Sequence, residues 1–144
     1  PREPPPNLEI LPPEITQQPR EDARRNLCKA EGKLAEAARQ DIGKAIIDCA
    51  TDDIRVYRDK SFPAVGLVAV KLMLGSEHDE VTFESAGSKM SSSSDLYFSY
   101  GNYSEKHGNV IGRGIYVMIW RANMNGDWNL ALNLKKKRPS AAKP

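Results

Sequence analysis

The segment from Gly112 to Leu134 constrains the fold of this chain more than any other part of the sequence. It contains two strongly alternating apolar stretches, residues 114–120 and 128–134, which meet across the turn sequence Met-Asn-Gly-Asp. Aromatic and β-branched residues favour strands, and Asn125-Gly126 is a dipeptide that tolerates the positive φ angles of a tight hairpin turn. The segment therefore predicts a long β-hairpin. Because helical patterns precede it, the predicted fold class is α+β.

Helical periodicity dominates the first half of the chain. Apolar residues recur at helical spacing from Leu27 to Ala38, which predicts an amphipathic helix from Glu21 to about Gln40. Asp41 has the residue type of an N-cap for a short second helix. The apolar run from residue 63 to residue 75 fits a buried strand and a buried helix equally well. The remaining predictions are strands at 54–57, 81–84 and 96–103, a polar loop at 91–95 and a connecting turn at 105–109.

Composition divides the chain into three parts. Residues 1–20 hold most of the prolines and few apolar residues, which predicts an extended arm or linker. Residues 21–135 contain the periodic segments and are long enough for one domain with its own core. Residues 136–144 are predicted to form a basic, flexible tail.

The charge of the chain argues against nucleic acid as a partner. The net charge is only +2, and much of the basic excess lies in the run Lys135–Arg138. A solvated run after the last strand explains that cluster. No apolar run reaches the ~20 residues that span a bilayer, so we expect neither a nucleic acid nor a membrane as a partner.

The residues that could bind metals or form disulfides are scattered. His78 and His107 lie in polar segments without a second ligand at metal spacing, so we expect surface positions and no metal. Cys28 and Cys49 are too far offset on two antiparallel helices to form a disulfide, and we expect two buried free thiols. No cofactor is predicted.

Four short motifs give the chain a resemblance to a known superfamily. They are Ala50-Thr51-Asp52-Asp53, Ala64-Val65-Gly66, Tyr100-Gly101-Asn102-Tyr103, and the hairpin motif from Gly114 to Arg121 followed by Asn125-Gly126-Asp127-Trp128. Their order and spacing resemble the nuclear transport factor 2-like superfamily, and within it the SnoaL-like domains, many of which are uncharacterised bacterial proteins. The resemblance covers roughly residues 24–134.

The resemblance implies a cone-shaped, curved antiparallel sheet with three N-terminal helices packed across it. The ambiguous run after Gly66 then becomes the third helix. The cone of this superfamily usually holds a pocket, and the outer face of its sheet commonly forms a homodimer. Residues 114–120 are apolar on both faces, and a single layer of helices covers only one of them. We therefore expect a homodimer through Ile115, Val117 and Ile119, and the resemblance also favours an exported or periplasmic protein.

Ketosteroid isomerases of this superfamily use a general-base Asp just after the first strand and a hydrogen-bond-donating acid on a later strand. The resemblance aligns Arg58 and Tyr116 with these positions, which disfavours isomerase chemistry, since that reaction needs a base near the proton. Asp59 is one residue further along, where a strand turns its side chain to the opposite face. Asp52 and Asp53 stand between a helix and a strand, which indicates turn capping.

The sequence predicts a pocket for an apolar or aromatic small molecule, with the phenol of Tyr116 as a hydrogen-bond donor. Asn129 and Asn133 alternate with apolar residues, which places both on one face of the last strand. Two other functions stay open: an enzyme of the cyclase, isomerase or dehydratase type, which needs an ionisable group inside the cone, and a dimerising interaction module with a filled cone. The candidate ligand-binding residues are Tyr57, Arg58, Tyr116, Met118, Trp120 and Asn133.

Overall fold

The computed structural model describes residues 13–139, with side chains from Arg20 onward. Residues 1–12 of the arm predicted at 1–20, and residues 140–144 of the predicted tail, lie outside the described residues. The described elements, in chain order, are α1 (Pro13–Ala38), α2 (Ile42–Cys49), β1 (Ala50–Tyr57), β2 (Ala64–Val65), α3 (Leu67–Leu74), β3 (Glu80–Met90), β4 (Leu96–His107), β5 (Val110–Ala122) and β6 (Trp128–Lys137).

The first helix is longer than its sequence pattern predicts. It begins at Pro13 rather than at Glu21, so residues 13–20 are helical and not part of an extended arm. Proline suits the first turn of a helix, because the N–H that it lacks has no helical partner there. The amphipathic pattern is confirmed, since the apolar face of α1 is buried. The N-cap of α2 is also confirmed: Asp41 Oδ1 accepts a hydrogen bond from the backbone N–H of Lys44 at 3.1 Å.

The ambiguous apolar run forms α3, as the resemblance implies. Gly66 precedes this helix with a φ of 93°, a left-handed value that glycine adopts without strain. Val70 and Leu74 are buried in the core, whereas Val68 and Leu72 are exposed. Within residues 13–139, no helix is both long enough and apolar enough to cross a membrane.

The six strands form one sheet in the order β2-β1-β6-β5-β4-β3. Four of the five neighbouring pairs are antiparallel, but β1 runs parallel to β6, so the sheet is mixed and the prediction of a wholly antiparallel sheet is wrong at this pair. A parallel pair needs a crossover connection, which α3 and the other strands supply between β1 and β6. The turn predicted at 105–109 is also shorter, since β4 continues to His107.

The predicted hairpin consists of β5 and β6, and its tip is a loop over residues 123–127. Gly126 has a φ of 86°, but Asn125 does not adopt a positive φ, so the tip is not the two-residue turn that the Asn-Gly pair suggests. Asn123 organises the loop instead. Its side-chain oxygen accepts hydrogen bonds from the backbone N–H groups of Asn125 and Asp127 at 2.9 and 3.0 Å.

A β-bulge in β6 changes which side chains face the core. The pairing with β5 skips Ala131, and a one-residue insertion moves the following residues to the other face. Asn129 lies opposite the exposed Arg121, whereas Asn133 lies opposite the buried Met118. The prediction that the two asparagines share a face is therefore wrong. The bulge brings Asn133 into the core.

The helices cover one face of the sheet, which we call the inner face. Helix α1 contacts β3 and β6, α2 contacts β6, and α3 contacts β1. Tyr116, Met118 and Trp120 of β5 are buried on this face. We call the opposite side of the sheet the outer face. Its side chains are apolar but more exposed to solvent than those of the inner face. On that face Phe98 and Tyr100 of β4 are 40% and 46% exposed, and their rings stack with centroids 6.3 Å apart.

Candidate functional site

The main candidate site is a cavity of about 290 Å³ between α1 and the inner face, which we call the central cavity. Side chains of β5 and β3 form its apolar wall, and residues of α1 line its opposite side. Two serine side chains, on β3 and β4, add polar groups. The lining residues are Glu31, Gly32, Leu34, Ala35, Phe83, Ser85, Ser99, Tyr116, Met118 and Trp120.

Tyr116 is held in a fixed orientation at this cavity. Its ring meets the ring of Phe83 edge to face, with centroids 4.8 Å apart and an interplanar angle of 67°. Burial raises the pKa of the Tyr116 hydroxyl above its ordinary value, and hydrogen bonds with the side chains of Ser85 and Ser99 partly oppose this shift. The hydroxyl therefore stays protonated near neutral pH and can donate a hydrogen bond.

Two buried hydrogen-bond donors on the inner face have no partner. Trp120 lines the central cavity and is fully buried, and its Nε1 has no acceptor among residues 13–139. The same holds for Nδ2 of Asn133, which lies across the strand pair from Met118. Buried polar groups are nearly always paired in folded proteins, so these two donors retain hydrogen-bonding capacity that the described residues do not use.

Glu31 is a site residue that the sequence argument missed. It projects from α1 into the lining of the central cavity and is half-buried. Burial raises the pKa of its carboxyl above the ordinary value. A signal was present in the sequence, because Glu31 follows Leu27 by four residues and precedes Leu34 by three, which places a carboxyl on the apolar face of the helix.

A second cavity, of about 760 Å³, is polar and lies near the end of β1. We call it the polar cavity. Arg58 binds Glu77 there, with Nη2 2.9 Å from Oε1, and its Nη1 donates to the side-chain oxygen of Asn133 at 2.8 Å. Lys135 Nζ lies 2.9 Å from Glu105 Oε1 and 3.5 Å from Glu77 Oε1. Burial acts to raise the pKa of Glu77, but the hydrogen bonds and charge of Arg58 and Lys135 outweigh it and lower the pKa.

The predicted ligand-binding residues are thus divided between places in the fold. Tyr116, Met118 and Trp120 come together at the central cavity, whereas Arg58 lines the polar cavity. Tyr57 and Asn133 line neither of these two cavities. Asn133 lies between the two regions, because its side-chain oxygen binds Arg58 and it pairs across the strands with Met118 of the central cavity.

A third cavity, of about 360 Å³, lies between α1, α2 and the hairpin tip, and we call it the peripheral cavity. Cys49 lines it and is half-buried, and burial raises the pKa of its thiol to about 12. Cys28 is exposed. Both thiols are free, as predicted, but neither is fully buried, because Cys28 lies on the solvent side of α1.

Three polar residues that were singled out in the sequence, Asp53, His78 and His107, form surface pairs. Asp53 lies in β1 and binds Arg121 across the outer face at 2.6 Å, so it does not cap a turn as predicted. His78 contacts Asp41 at 3.0 Å, and His107 contacts Asp79 at 2.7 Å. In the described part of the chain, no group of three or more His, Cys, Asp or Glu side chains could hold a metal ion.

No family model and no curated protein matches the chain in sequence. Solved structures match it in fold. A ketosteroid isomerase-like protein from Erwinia carotovora atroseptica has a TM-score of 0.62 at 19% identity, over 76% of this chain and 91% of that chain. A nuclear transport factor 2-like protein of unknown function from Shewanella oneidensis has a TM-score of 0.61 at 13% identity, over 78% and 98% of the two chains.

A further nuclear transport factor 2-like protein, described as having a cystatin-like fold, comes from Novosphingobium aromaticivorans. It has a TM-score of 0.63 at 9% identity, over 89% of this chain and 90% of that chain. At such identities the likeness concerns the fold and not the activity. The chain has the nuclear transport factor 2-like α+β fold, as the motifs of its sequence predict.

Proposed function

We propose that this chain is a small-molecule-binding domain that holds a flat, mainly apolar ligand in the central cavity. The observation that carries the proposal is the cavity lining, in which the rings of Phe83, Tyr116 and Trp120 stand beside Met118. Ligand pockets are mostly apolar with a few polar groups that orient the ligand, and volumes from about 300 Å³ upward are typical of them. The central cavity is close to that size.

Two polar groups favour a ligand that carries a hydrogen-bond acceptor. Trp120 Nε1 is a buried donor without an acceptor among the described residues. An unpaired buried donor costs about 1–3 kcal/mol, and a carbonyl or ether oxygen of a ligand would remove that cost. The hydroxyl of Tyr116 supplies a second donor, because burial keeps it protonated.

Glu31 favours a second candidate function, an enzyme of the cyclase, isomerase or dehydratase type. Such chemistry needs an ionisable group inside the cavity, and Glu31 is a carboxyl in the lining. One structural neighbour is described as ketosteroid isomerase-like. However, Arg58, which aligns with the general base of ketosteroid isomerases, is bound to Glu77, and a guanidinium group has no acceptor for a proton. Binding therefore has more support than isomerisation.

A fluorescence titration with 2-acetylnaphthalene tests the binding proposal, because this probe is flat and apolar and carries one carbonyl acceptor. We expect saturable quenching of tryptophan emission, since Trp120 lines the cavity. Ala35→Phe should abolish binding by filling the central cavity, whereas the matched control Ala37→Phe, in the peripheral cavity, should not. Thermal melts check that both variants fold. Absence of binding, or saturable binding that survives Ala35→Phe, would contradict the proposal.

A further inference from the structure

We propose that the ligand of the central cavity carries a protonated amine, which Glu31 binds as an ion pair beside the aromatic rings of the lining. The inference rests on the proposed function and adds the chemical class of the ligand. It also gives Glu31 a binding role that does not depend on any reaction.

Among the partly or fully buried acidic side chains of the described residues, Glu31 differs from the others because it has no basic partner. Five other carboxylates are partly or fully buried, and each has a basic partner. Glu31 forms no hydrogen bond or ion pair with a described residue. The five pairs are Asp22 with Arg25, Asp41 with His78, Glu77 with Arg58, Asp79 with His107, and Glu105 with Lys135. Partial burial of a carboxylate without a partner costs free energy. A cationic group of a ligand would offset that cost, so the site is complementary to a cation from outside the chain.

The charge of the cavity points to the same ligand class. No basic side chain belongs to the described lining, and the hydroxyl of Tyr116 is neutral, since burial raises its pKa further above the ordinary value of a phenol. With Glu31 ionised, the cavity therefore carries one negative charge. An anionic ligand would meet repulsion there, and a neutral ligand would leave the carboxylate unpaired.

The aromatic rings of the lining support a cation as well. Phe83 and Tyr116 contribute aromatic rings to this lining, and the faces of such rings carry partial negative charge. An ammonium group within about 6 Å of a ring face is attracted to it. A carboxylate beside aromatic rings is thus suited to an amine attached to a flat, apolar body.

Three 5-methoxyindoles test the inference, since they share one flat ring and one ether acceptor and differ in the charge of the side chain. They are 5-methoxytryptamine, 5-methoxytryptophol and 5-methoxyindole-3-acetate. We expect calorimetry at pH 8 to rank the amine above the alcohol and the alcohol above the carboxylate. The amine should bind at least about tenfold more tightly than the alcohol, the factor expected for one charge-assisted hydrogen bond.

Glu31→Gln should remove the preference, so that the amine and the alcohol bind the variant with similar affinities. The matched control is Glu36→Gln, which removes an exposed carboxyl from the same helix and should keep the preference. With the wild-type protein, the preference should also shrink on acidification, and because burial raises the pKa of Glu31, the loss should begin at a higher pH than for an exposed glutamate.

The outcomes separate the two proposals. If none of the three compounds binds, the proposed function fails together with the inference. If the alcohol binds as tightly as the amine, the inference is overturned while the binding function stands. A preference for the amine that persists in Glu31→Gln would also overturn it, since another group would then hold the ammonium.

Discussion

Arg58 and Glu77 form a two-point ion pair that ties the end of β1 to the segment after α3. Nε of Arg58 lies 3.1 Å from both carboxylate oxygens, and Nη2 lies 2.9 Å from Oε1. The two side chains are only 12% and 20% exposed. The guanidinium also donates to Asn133 on β6, so its donors are largely committed to partners within the protein.

Glu77→Ala should destabilise the fold by about 3 kcal/mol, because removing one member of a mostly buried pair leaves the other charge uncompensated. Urea denaturation measures the change in the free energy of unfolding. The matched control is Glu80→Ala, at an exposed position three residues later, which should change it by no more than about 0.5 kcal/mol. A loss below about 1 kcal/mol for Glu77→Ala would mean that the pair behaves like a solvent-exposed one.

The lowered pKa of Glu77 predicts how the stability of the fold depends on pH. The pKa of Glu77 is lower in the folded protein than its ordinary value of 4.5, so the unfolded chain binds the proton more readily. Its stabilising contribution is therefore complete above about pH 4.5 and is lost as the pH falls through the lower folded value. We expect the wild type to lose stability on acidification more steeply than Glu77→Gln. Parallel stability curves for the two proteins would contradict this account.

The parts of the fold that were predicted from sequence depend on local patterns. The hairpin follows from alternation, and α2 follows from the cap at Asp41. The bulge at Ala131 and the parallel pairing of β1 with β6 were not predicted. Both depend on which backbones pair across the sheet, and Ala131 carries no side-chain signal that sets it apart from its neighbours.

The candidate site likewise contains residues that a local pattern predicts and residues that depend on contacts distant in sequence. Tyr116, Met118 and Trp120 share one face of a single strand, so alternation alone brings them together at the central cavity. Arg58 lies at the polar cavity instead, because it binds Glu77 and Asn133 there. The spacing of the sequence does not indicate that either residue lies beside it. Glu31 was missed because a charged residue on a helix normally indicates solvent, although its spacing from the apolar residues indicated the buried face.

We propose that the outer face of the sheet forms a homodimer through Ile115, Val117 and Ile119. Ile115 is 40% exposed, and the aromatic side chains of β4 that pair with Val117 and Ile119 are similarly exposed. Sedimentation at micromolar concentration should give twice the chain mass, because a large apolar face rarely stays exposed on a monomer. Val117→Lys should yield a monomer by placing an unpaired charge in the contact. Val110→Lys, at an exposed position outside this face, should remain dimeric, and a monomeric wild type would refute the proposal.

We also expect that the protein does not isomerise a 3-oxo-Δ5-steroid at a useful rate. Arg58 stands at the position aligned with the general base of the isomerases, and a guanidinium that stays protonated cannot accept a proton. Asp59 is the nearest carboxylate in sequence, but it lines the polar cavity and accepts the backbone N–H of Lys137 at 2.8 Å.

A positioned general base contributes on the order of 10²–10⁴-fold to such a reaction, and neither Arg58 nor Asp59 supplies one at the central cavity, so we expect binding of a steroid without useful turnover. Steady-state assays of the wild type measure this directly, with Asp59→Asn and Glu31→Gln as paired variants. Robust isomerisation that disappears in Asp59→Asn would show that the alignment at Arg58 is wrong by one residue. Isomerisation that disappears only in Glu31→Gln would make the carboxyl on α1 the base, and the enzyme would then replace the binding domain as the function of this chain.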